Sequence, residues 1–246
     1  MYAGLDVGSR TIKLVILNSQ IREQKVVDSG INPLKRCQEL LADKPYDRLV
    51  VTGYGRHLVA PLMGGEVVSE IKAFALGAHY LVSSAHTVID IGGQDSKVIS
   101  IGNSGEVVKF EMNDRCAAGT GKFLEIMART LEVDLSHFGD LAINASKSTR
   151  INSLCTVFAE SEVVSLIAKG EESNSIALGL HEAIATRIAG MVRHTGLKNT
   201  VLFVGGGALN NCLHELLSHK LDIEIVRVDS PQTVGALGAA LLAANN

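Results

Sequence analysis

Hydrophobic residues recur along the chain in short blocks typical of strands and, elsewhere, at helical spacing. The blocks predict strands at 2–7, 11–17 and 25–28, a helix after Pro33, a strand at 48–52 and a helix at 70–82. The same order then begins again, with strands at 87–91, 97–101 and 107–110 leading into a helix after Gly119. A strongly apolar strand at 200–204 and a helix at 233–243 close the chain. The pattern therefore predicts an α/β protein with two similar halves.

A local sequence match supports this repeat. The segment LDVGSRTIKLVIL (5–17) and the segment IDIGGQDSKVISI (89–101) carry Asp, Gly and Lys in one register, as the pairs Asp6/Asp90, Gly8/Gly92 and Lys13/Lys97. In each, an apolar strand ends in Asp, turns through glycine and small polar residues, and returns as a second strand. Successive backbone N–H groups at such a tip, with nearby hydroxyl groups, suit an anion. The two lysines can either neutralise phosphate charge or lie outside the hairpin.

A third glycine-containing segment completes a candidate nucleotide site. FVGGGALNN (203–211) is an apolar strand that ends in three glycines before a helix, whose N-terminus can approach a ligand. Asp6 and Asp90, at equivalent strand ends, can hold hydrated Mg²⁺ or a water. The three segments together predict two phosphate hairpins and an adenosine loop, divided between the two halves.

Composition excludes several classes of function. Among 246 residues the net charge is −3, and no basic run or arginine-rich arm suggests nucleic acid as a partner. The longest apolar stretch, 234–244, is about half the ~20 residues that a membrane span requires. The N-terminal segment MYAGLDVGSR has no basic region and reaches Asp6 too early for a signal peptide. We therefore expect a soluble cytoplasmic protein.

The segment NDRCAAGTGKFL (113–124) resembles a phosphate loop but fails its spacing. Cys116 and Phe123 stand where G-x-x-x-x-G-K-[ST] requires a glycine and a hydroxyl residue. Cys116 and Cys155 are each predicted to stand at the start of a helix, and the partial positive charge of a helix N-terminus favours the thiolate that binds metals. Cys37 and Cys212 lie within helical patterns, where buried thiols are common. From the residues alone, Cys116 and Cys155 could also be buried thiols.

If both cysteines bind metal, one chain supplies two thiolates, whereas an iron–sulfur cubane needs four ligands. A symmetric dimer with Cys116 and Cys155 from each copy is the simplest completion. Cys37 and Cys212 are the alternative source of ligands.

The two hairpins and the adenosine loop resemble the acetate and sugar kinase, heat-shock cognate and actin (ASKHA) superfamily. The resemblance implies a duplicated, ribonuclease H-like α/β fold with ATP in a hinge cleft between lobes at 1–86 and 87–246, and the final helix (231–246) packing back on the first lobe. It implies that Asp6 and Asp90 are catalytic. It also implies that the nucleotide contacts Gly8, Ser9, Arg10, Thr11, Lys13, Gly92, Gly93, Gln94, Asp95, Gly205, Gly206, Gly207 and Ala208.

Within that superfamily, NDRCAAGTGKFLE and INSLCTVFAESEV resemble the activators of 2-hydroxyacyl-CoA dehydratases and the related ATPase subunits of benzoyl-CoA reductase. The resemblance implies a homodimer that binds ATP, Mg²⁺ and one 4Fe–4S cluster through Cys116 and Cys155. It implies that ATP hydrolysis drives an electron from ferredoxin or flavodoxin to an iron–sulfur dehydratase or reductase. The alternatives are a small-molecule kinase of the same superfamily and a nucleotide sensor that binds zinc through the cysteines.

Overall fold

The structure is a computed structural model that describes residues 1–153, 155–198 and 200–245. The first sheet has the order β3-β2-β1-β4-β5. Its strands are β1 (Tyr2–Val7), β2 (Thr11–Asn18), β3 (Gln20–Asp28), β4 (Arg48–Thr52) and β5 (Glu66–Val67), and its helices are α1 (Pro33–Leu41) and α2 (Arg56–Leu62). Strands β1, β2 and β3 are antiparallel, whereas β4 runs parallel to β1.

Helix α3 (Glu70–Leu81) leads to the second sheet, whose order is β10-β9-β6-β7-β8. Its strands are β6 (Thr87–Ile91), β7 (Ser96–Ile101), β8 (Val107–Asn113), β9 (Val201–Val204) and β10 (Ile225–Val226). The remaining helices are α4 (Gly121–Thr130), α5 (Leu135–Ile143), α6 (Thr156–Ala168), α7 (Ser173–Thr195), α8 (Asn211–Leu221) and α9 (Val234–Asn245).

The two sheets have the same topology. In each, the first strand pairs antiparallel with the second and parallel with the fourth. Asp6 pairs with Lys13 in the first sheet, and Asp90 pairs with Lys97 at the same register in the second. The prediction of a duplicated α/β fold is therefore confirmed.

Several boundaries differ from the sequence prediction. Strand β3 begins at Gln20 rather than Lys25, because Ser19 takes a positive φ of 53° and lets β2 turn directly into β3. The polar residues of 20–25 hid this edge strand, whose side chains are largely outside the core. Strands β5 and β10 have two residues each, too few for a hydrophobic pattern to reveal.

Helices α3 and α9 cross between the two sheets. Phe74, Ala75 and Ala78 of α3 pack in one hydrophobic cluster with residues of the second sheet, whereas α9 packs against β1, β2 and β4 of the first sheet. A Cβ atom on Gly77 would lie 2.1 Å from Val234 O, so the two helices are in backbone contact. The division of the chain at residue 86 stays a prediction. No helix in the described residues is long and apolar enough to cross a membrane.

Candidate nucleotide site and cysteine pair

Both predicted hairpins form, with the same tight turn. Gly8 N donates to Thr11 O at 3.1 Å, and Gly92 N donates to Asp95 O at 2.9 Å. The two tips meet across the cleft, since a Cβ atom on Gly93 would lie 3.2 Å from Arg10 Cβ and 3.3 Å from Ser9 Oγ. The repeat in the sequence therefore corresponds to two equivalent loops that face one space from opposite lobes.

The strand-end carboxylates beside these tips are buried. Lys13 Nζ lies 3.3 Å from Asp6 Oδ2. In the second hairpin the equivalent Lys97 is only 1% exposed, and its Nζ lies 2.8 Å from Glu70 Oε2, 2.8 Å from Asp95 Oδ1 and 3.2 Å from Asp90 Oδ2. Lys97 therefore lies inside the protein and not on the outside of the hairpin, which the sequence had left open.

Burial and charge act in opposite directions on this cluster. Burial by itself lowers the pKa of Lys97, but the carboxylates of Asp90, Glu70 and Asp95 outweigh it and raise that pKa, so the ammonium stays charged. Burial raises the pKa of Asp90 to about 6, against the attraction of Lys97. Within the described residues, Asp90 Oδ1 is buried with no hydrogen-bond partner. A carboxylate oxygen left in this state fits a hard cation such as Mg²⁺, which prefers oxygen ligands.

The predicted adenosine loop packs directly on the end of β6. Gly205 has a φ of +81°, and a Cβ atom there would lie 2.1 Å from Asp90 Oδ1. A Cβ atom on Gly207 would lie 2.5 Å from Ile91 Cβ. Glycine is therefore required at both positions because the backbone of the loop approaches β6 this closely.

A cleft of about 480 Å³ lies between these segments. Every residue predicted to be catalytic or to contact the nucleotide lines it, except Ala208, which is buried beneath the loop. The hydroxyl, guanidinium and carboxamide groups of Ser9, Thr11, Arg10 and Gln94 are thus at one cleft with both buried carboxylates. These positions can bind phosphate oxygens through N–H and O–H donors.

Sequence reasoning missed the other walls of the cleft. Besides Lys97 and Gly121, the additional lining residues are Tyr54, Glu70, Phe74, Leu124, Glu125, Leu135, Ser136, Gly139, Asp140, Leu209, Asn210, Asn211 and Gln232. Asn210 and Asn211 follow the glycine loop directly, so that motif was a signal for them. The residues of α5 carry no local signal, because tertiary packing alone brings that helix to the cleft.

A buried histidine holds one of these missed residues. His181 Nδ1 lies 2.7 Å from Ala177 O and must donate to it, so Nε2 accepts from Asn210 Nδ2 at 2.9 Å. Asn210 Oδ1 in turn accepts from Leu213 N at 3.0 Å and caps α8. Burial lowers the pKa of His181 to about 4. The neutral ring therefore orients the Asn210 side chain at the wall of the cleft.

His181 predicts a pH dependence of stability. Because its folded pKa of about 4 is below the ordinary 6.5, its stabilising contribution is complete above 6.5 and is lost as pH falls through the folded value. Between about pH 7.5 and about pH 5, the free energy of unfolding should fall about 2 kcal/mol less in His181→Gln than in the wild-type protein. Urea unfolding at both pH values measures this difference. His219→Gln, in an exposed position, should keep the wild-type dependence, and an equal dependence in His181→Gln would contradict the assignment.

Cys116 and Cys155 are both exposed. Cys155 is the N-cap residue of α6, as predicted. Cys116, in contrast, lies in a loop four residues before Thr120, the N-cap of α4. The prediction that both thiols stand at helix starts is therefore wrong for Cys116, because Gly119, with a φ of +86°, turns the chain before the helix begins.

The other cysteines are buried, as the sequence indicates. Cys37 is 0% exposed and Cys212 is 2% exposed. Burial raises the pKa of each thiol to about 12. Neither residue is therefore suited to bind a metal as a thiolate, which leaves the exposed Cys116 and Cys155 as the candidate ligands.

Comparisons with known proteins find relatives that match nearly the whole chain. The chain is 39% identical to a 2-hydroxyisocaproyl-CoA dehydratase activator of Clostridioides difficile over 250 residues, which cover 98% of this chain and 93% of the relative. It is 41% identical to an activator of lactoyl-CoA dehydratase of Anaerotignum propionicum, over 98% of this chain and 96% of the relative. The solved structure of the activator of the 2-hydroxyisocaproyl-CoA dehydratase from Clostridium difficile, with bound ADPNP, superposes with a TM-score of 0.92 at 38% identity, covering 99% of this chain and 94% of that one.

The family model matches nearly the whole chain, from residue 3 to residue 243. This range includes both hairpins, the glycine loop and both exposed cysteines. The chain is an ATPase with the two-lobed, actin-like α/β fold. It belongs to the BadF/BadG/BcrA/BcrD ATPase family.

Proposed function

We propose that the protein uses ATP hydrolysis to drive an electron from ferredoxin or flavodoxin, through a 4Fe–4S cluster shared by two copies of the chain, to a 2-hydroxyacyl-CoA dehydratase or a related reductase. The similar activators of acyl-CoA dehydratases support the class of partner. One observation carries the proposal: two exposed thiols lie on the lobe that also contributes one wall of the nucleotide cleft.

In this proposal each part of the cleft has a separate task. Backbone N–H groups of the two hairpins, with the hydroxyl groups of Ser9 and Thr11, bind the phosphates, and the loop at 205–208 contacts adenosine. Asp6 and Asp90 hold Mg²⁺ directly or through water. Bound Mg²⁺ would neutralise phosphate charge. Lys97 and Glu70 keep the Asp90 side chain in place beside this position.

The surroundings of the cysteines favour a homodimer. Within the described residues, no group of three or more His, Cys, Asp or Glu side chains could hold a metal. Two thiols per chain therefore complete a set of four ligands only when two copies meet. Val157 and Phe158, just after Cys155, are 69% and 67% exposed, and such an apolar surface suits burial against a second copy. A bound 4Fe–4S cluster would supply a one-electron carrier of low potential.

Iron analysis of protein purified without oxygen tests the proposal. We expect brown protein with about four iron and four sulfide per dimer, since four thiolates complete one cubane. Colourless protein that phosphorylates a small molecule would favour the kinase alternative instead. One zinc per chain would favour the nucleotide sensor.

A further inference from the structure

The loop that carries Cys116, residues 116–120, is bonded to the second phosphate hairpin. Gly121 N and Lys122 N, at the start of α4, donate to Gly92 O and Gly93 O, each at 2.8 Å. Ser96, the first residue after the turn of this hairpin, donates its hydroxyl hydrogen to Gly119 O. The end of the loop is therefore attached to the same residues that line the phosphate side of the cleft.

Asn113 holds the beginning of this loop. It is the last residue of β8 and lies opposite Ser96 in the pairing of β7 with β8. Its Nδ2 donates to Cys116 O at 3.0 Å and to Ala118 O at 2.8 Å, which uses both N–H donors of the amide. Asn113 therefore holds the beginning of the loop, and Ser96, which lies opposite it in the sheet, holds the end.

Arg187 of α7 fixes the orientation of Asn113. Its Nη2 donates to Asn113 Oδ1 at 3.1 Å, so the amide nitrogen, and not the oxygen, faces the loop. The stem of Arg187 passes beside Gly119, where a Cβ atom would lie 2.9 Å from Arg187 Cδ. Arg187 therefore supports both Asn113 and the loop from α7.

The Cys155 side is held differently. Glu162 accepts hydrogen bonds from Asn152 N at 3.0 Å, from Asn152 Nδ2 at 2.8 Å and from Ser153 N at 3.0 Å. Glu162 lies on α6, the helix that Cys155 caps. These bonds join the segment before Cys155 to its own helix and not to the phosphate hairpin.

We propose that Asn113 is a positioning residue that couples occupation of the nucleotide cleft to the position of Cys116, and that this coupling does not extend equally to Cys155. Phosphate binding at the hairpin would restrain Gly92 and Gly93, whose carbonyl groups accept hydrogen bonds from the start of α4. Ser96, three residues further on, lies opposite Asn113 in the sheet and donates to Gly119 O. A ligand that favours one arrangement of the hairpin thereby favours one arrangement of the loop. The inference rests on the proposed function in that Cys116 is taken as a cluster ligand.

Thiol alkylation of the cluster-free protein tests this coupling without any iron. Iodoacetamide modifies the exposed thiols, and peptide mass spectrometry gives the rate at each cysteine with and without Mg²⁺ and a non-hydrolysable ATP analogue. We expect the nucleotide to slow alkylation of Cys116 about 5-fold or more and to change Cys155 less than about 2-fold. Asn113→Asp, which replaces the N–H donors with an oxygen that repels both carbonyl groups, should abolish the response of Cys116.

Further variants distinguish a loss of coupling between the cleft and Cys116 from a general loosening of the loop. Asp114→Asn makes the reverse change at the next, exposed residue and should keep the wild-type response. Glu162→Ala should speed alkylation of Cys155 and leave the nucleotide response of Cys116 intact. If Asn113→Asp does not fold, Arg187→Met keeps the stem beside Gly119, removes the bond to Asn113 and should weaken the response.

Two results would overturn the inference: a full nucleotide response of Cys116 in a folded Asn113→Asp variant that still binds the analogue, or no response in the wild-type protein. Iron analysis decides the electron-transfer proposal separately. A chain without iron would remove that proposal, while the alkylation rates would still show whether Asn113 couples the cleft to the loop.

Discussion

Cys155→Ser is expected to purify without colour, with iron and sulfide near zero, while ATP still binds. A serine hydroxyl is a poor ligand for iron compared with a thiolate, and the loss occurs twice in a symmetric dimer, so two of the four ligands are removed together. Cys116→Ser should have the same effect. The absorbance of anaerobic protein and its iron and sulfide contents measure the loss, and the affinity for an ATP analogue shows that the cleft is intact.

Cys212→Ala is the matched control for these variants. Its thiol is buried in the helix after the glycine loop, and burial raises its pKa to about 12, so it should not contribute a thiolate. We expect Cys212→Ala to remain brown even if the free energy of unfolding falls. Full iron content in Cys155→Ser, or its loss in a folded Cys212→Ala protein, would contradict the assignment of the ligands.

Asp6→Ala is expected to reduce ATP turnover about 100-fold or more while the protein remains brown, because the carboxylate would no longer orient Mg²⁺ or water at the phosphates. Asp6 is buried near the end of β1, two residues before Gly8 of the hairpin turn, and it lines the cleft. Phosphate release under saturating Mg²⁺ and ATP measures the change. The retained colour would separate loss of hydrolysis from loss of the fold.

Asp43→Ala provides the comparison, since it removes an exposed carboxylate that does not line the cleft. Its turnover should equal that of the wild-type protein. Unchanged turnover in Asp6→Ala would remove the assignment of the first hairpin to phosphate, and with it the symmetric roles given to Asp6 and Asp90.

The sequence predicted the two hairpins that meet at the cleft because they repeat one local pattern. Asp6 and Asp90 share a register with their lysines, and this register needs no knowledge of tertiary packing. The partners of Lys97 could not be predicted from this pattern, because Glu70 reaches it from α3, outside the hairpin. Local sequence cannot show such a partner, so the motif alone does not decide whether Lys97 lies inside the protein.

The sequence predicts the position of Cys155 at the start of a helix, but not the loop that carries Cys116. Helical spacing after Gly119 suggested that Cys116 stands at the start of a helix, whereas the structure has a loop between them. That loop depends on Asn113, Ser96 and Arg187, which come from three different elements. The pattern of any one segment could not have revealed hydrogen bonds between three elements that are separate in the sequence.

Native mass spectrometry of the anaerobically purified protein tests the central claim most directly, because it reports the number of chains and the bound metal in one species. The account predicts two chains with one four-iron, four-sulfide cluster, and dissociation into metal-free chains when a chelator removes the iron. A monomer that carries its own metal, or a dimer whose mass shows no iron or sulfide, would contradict it.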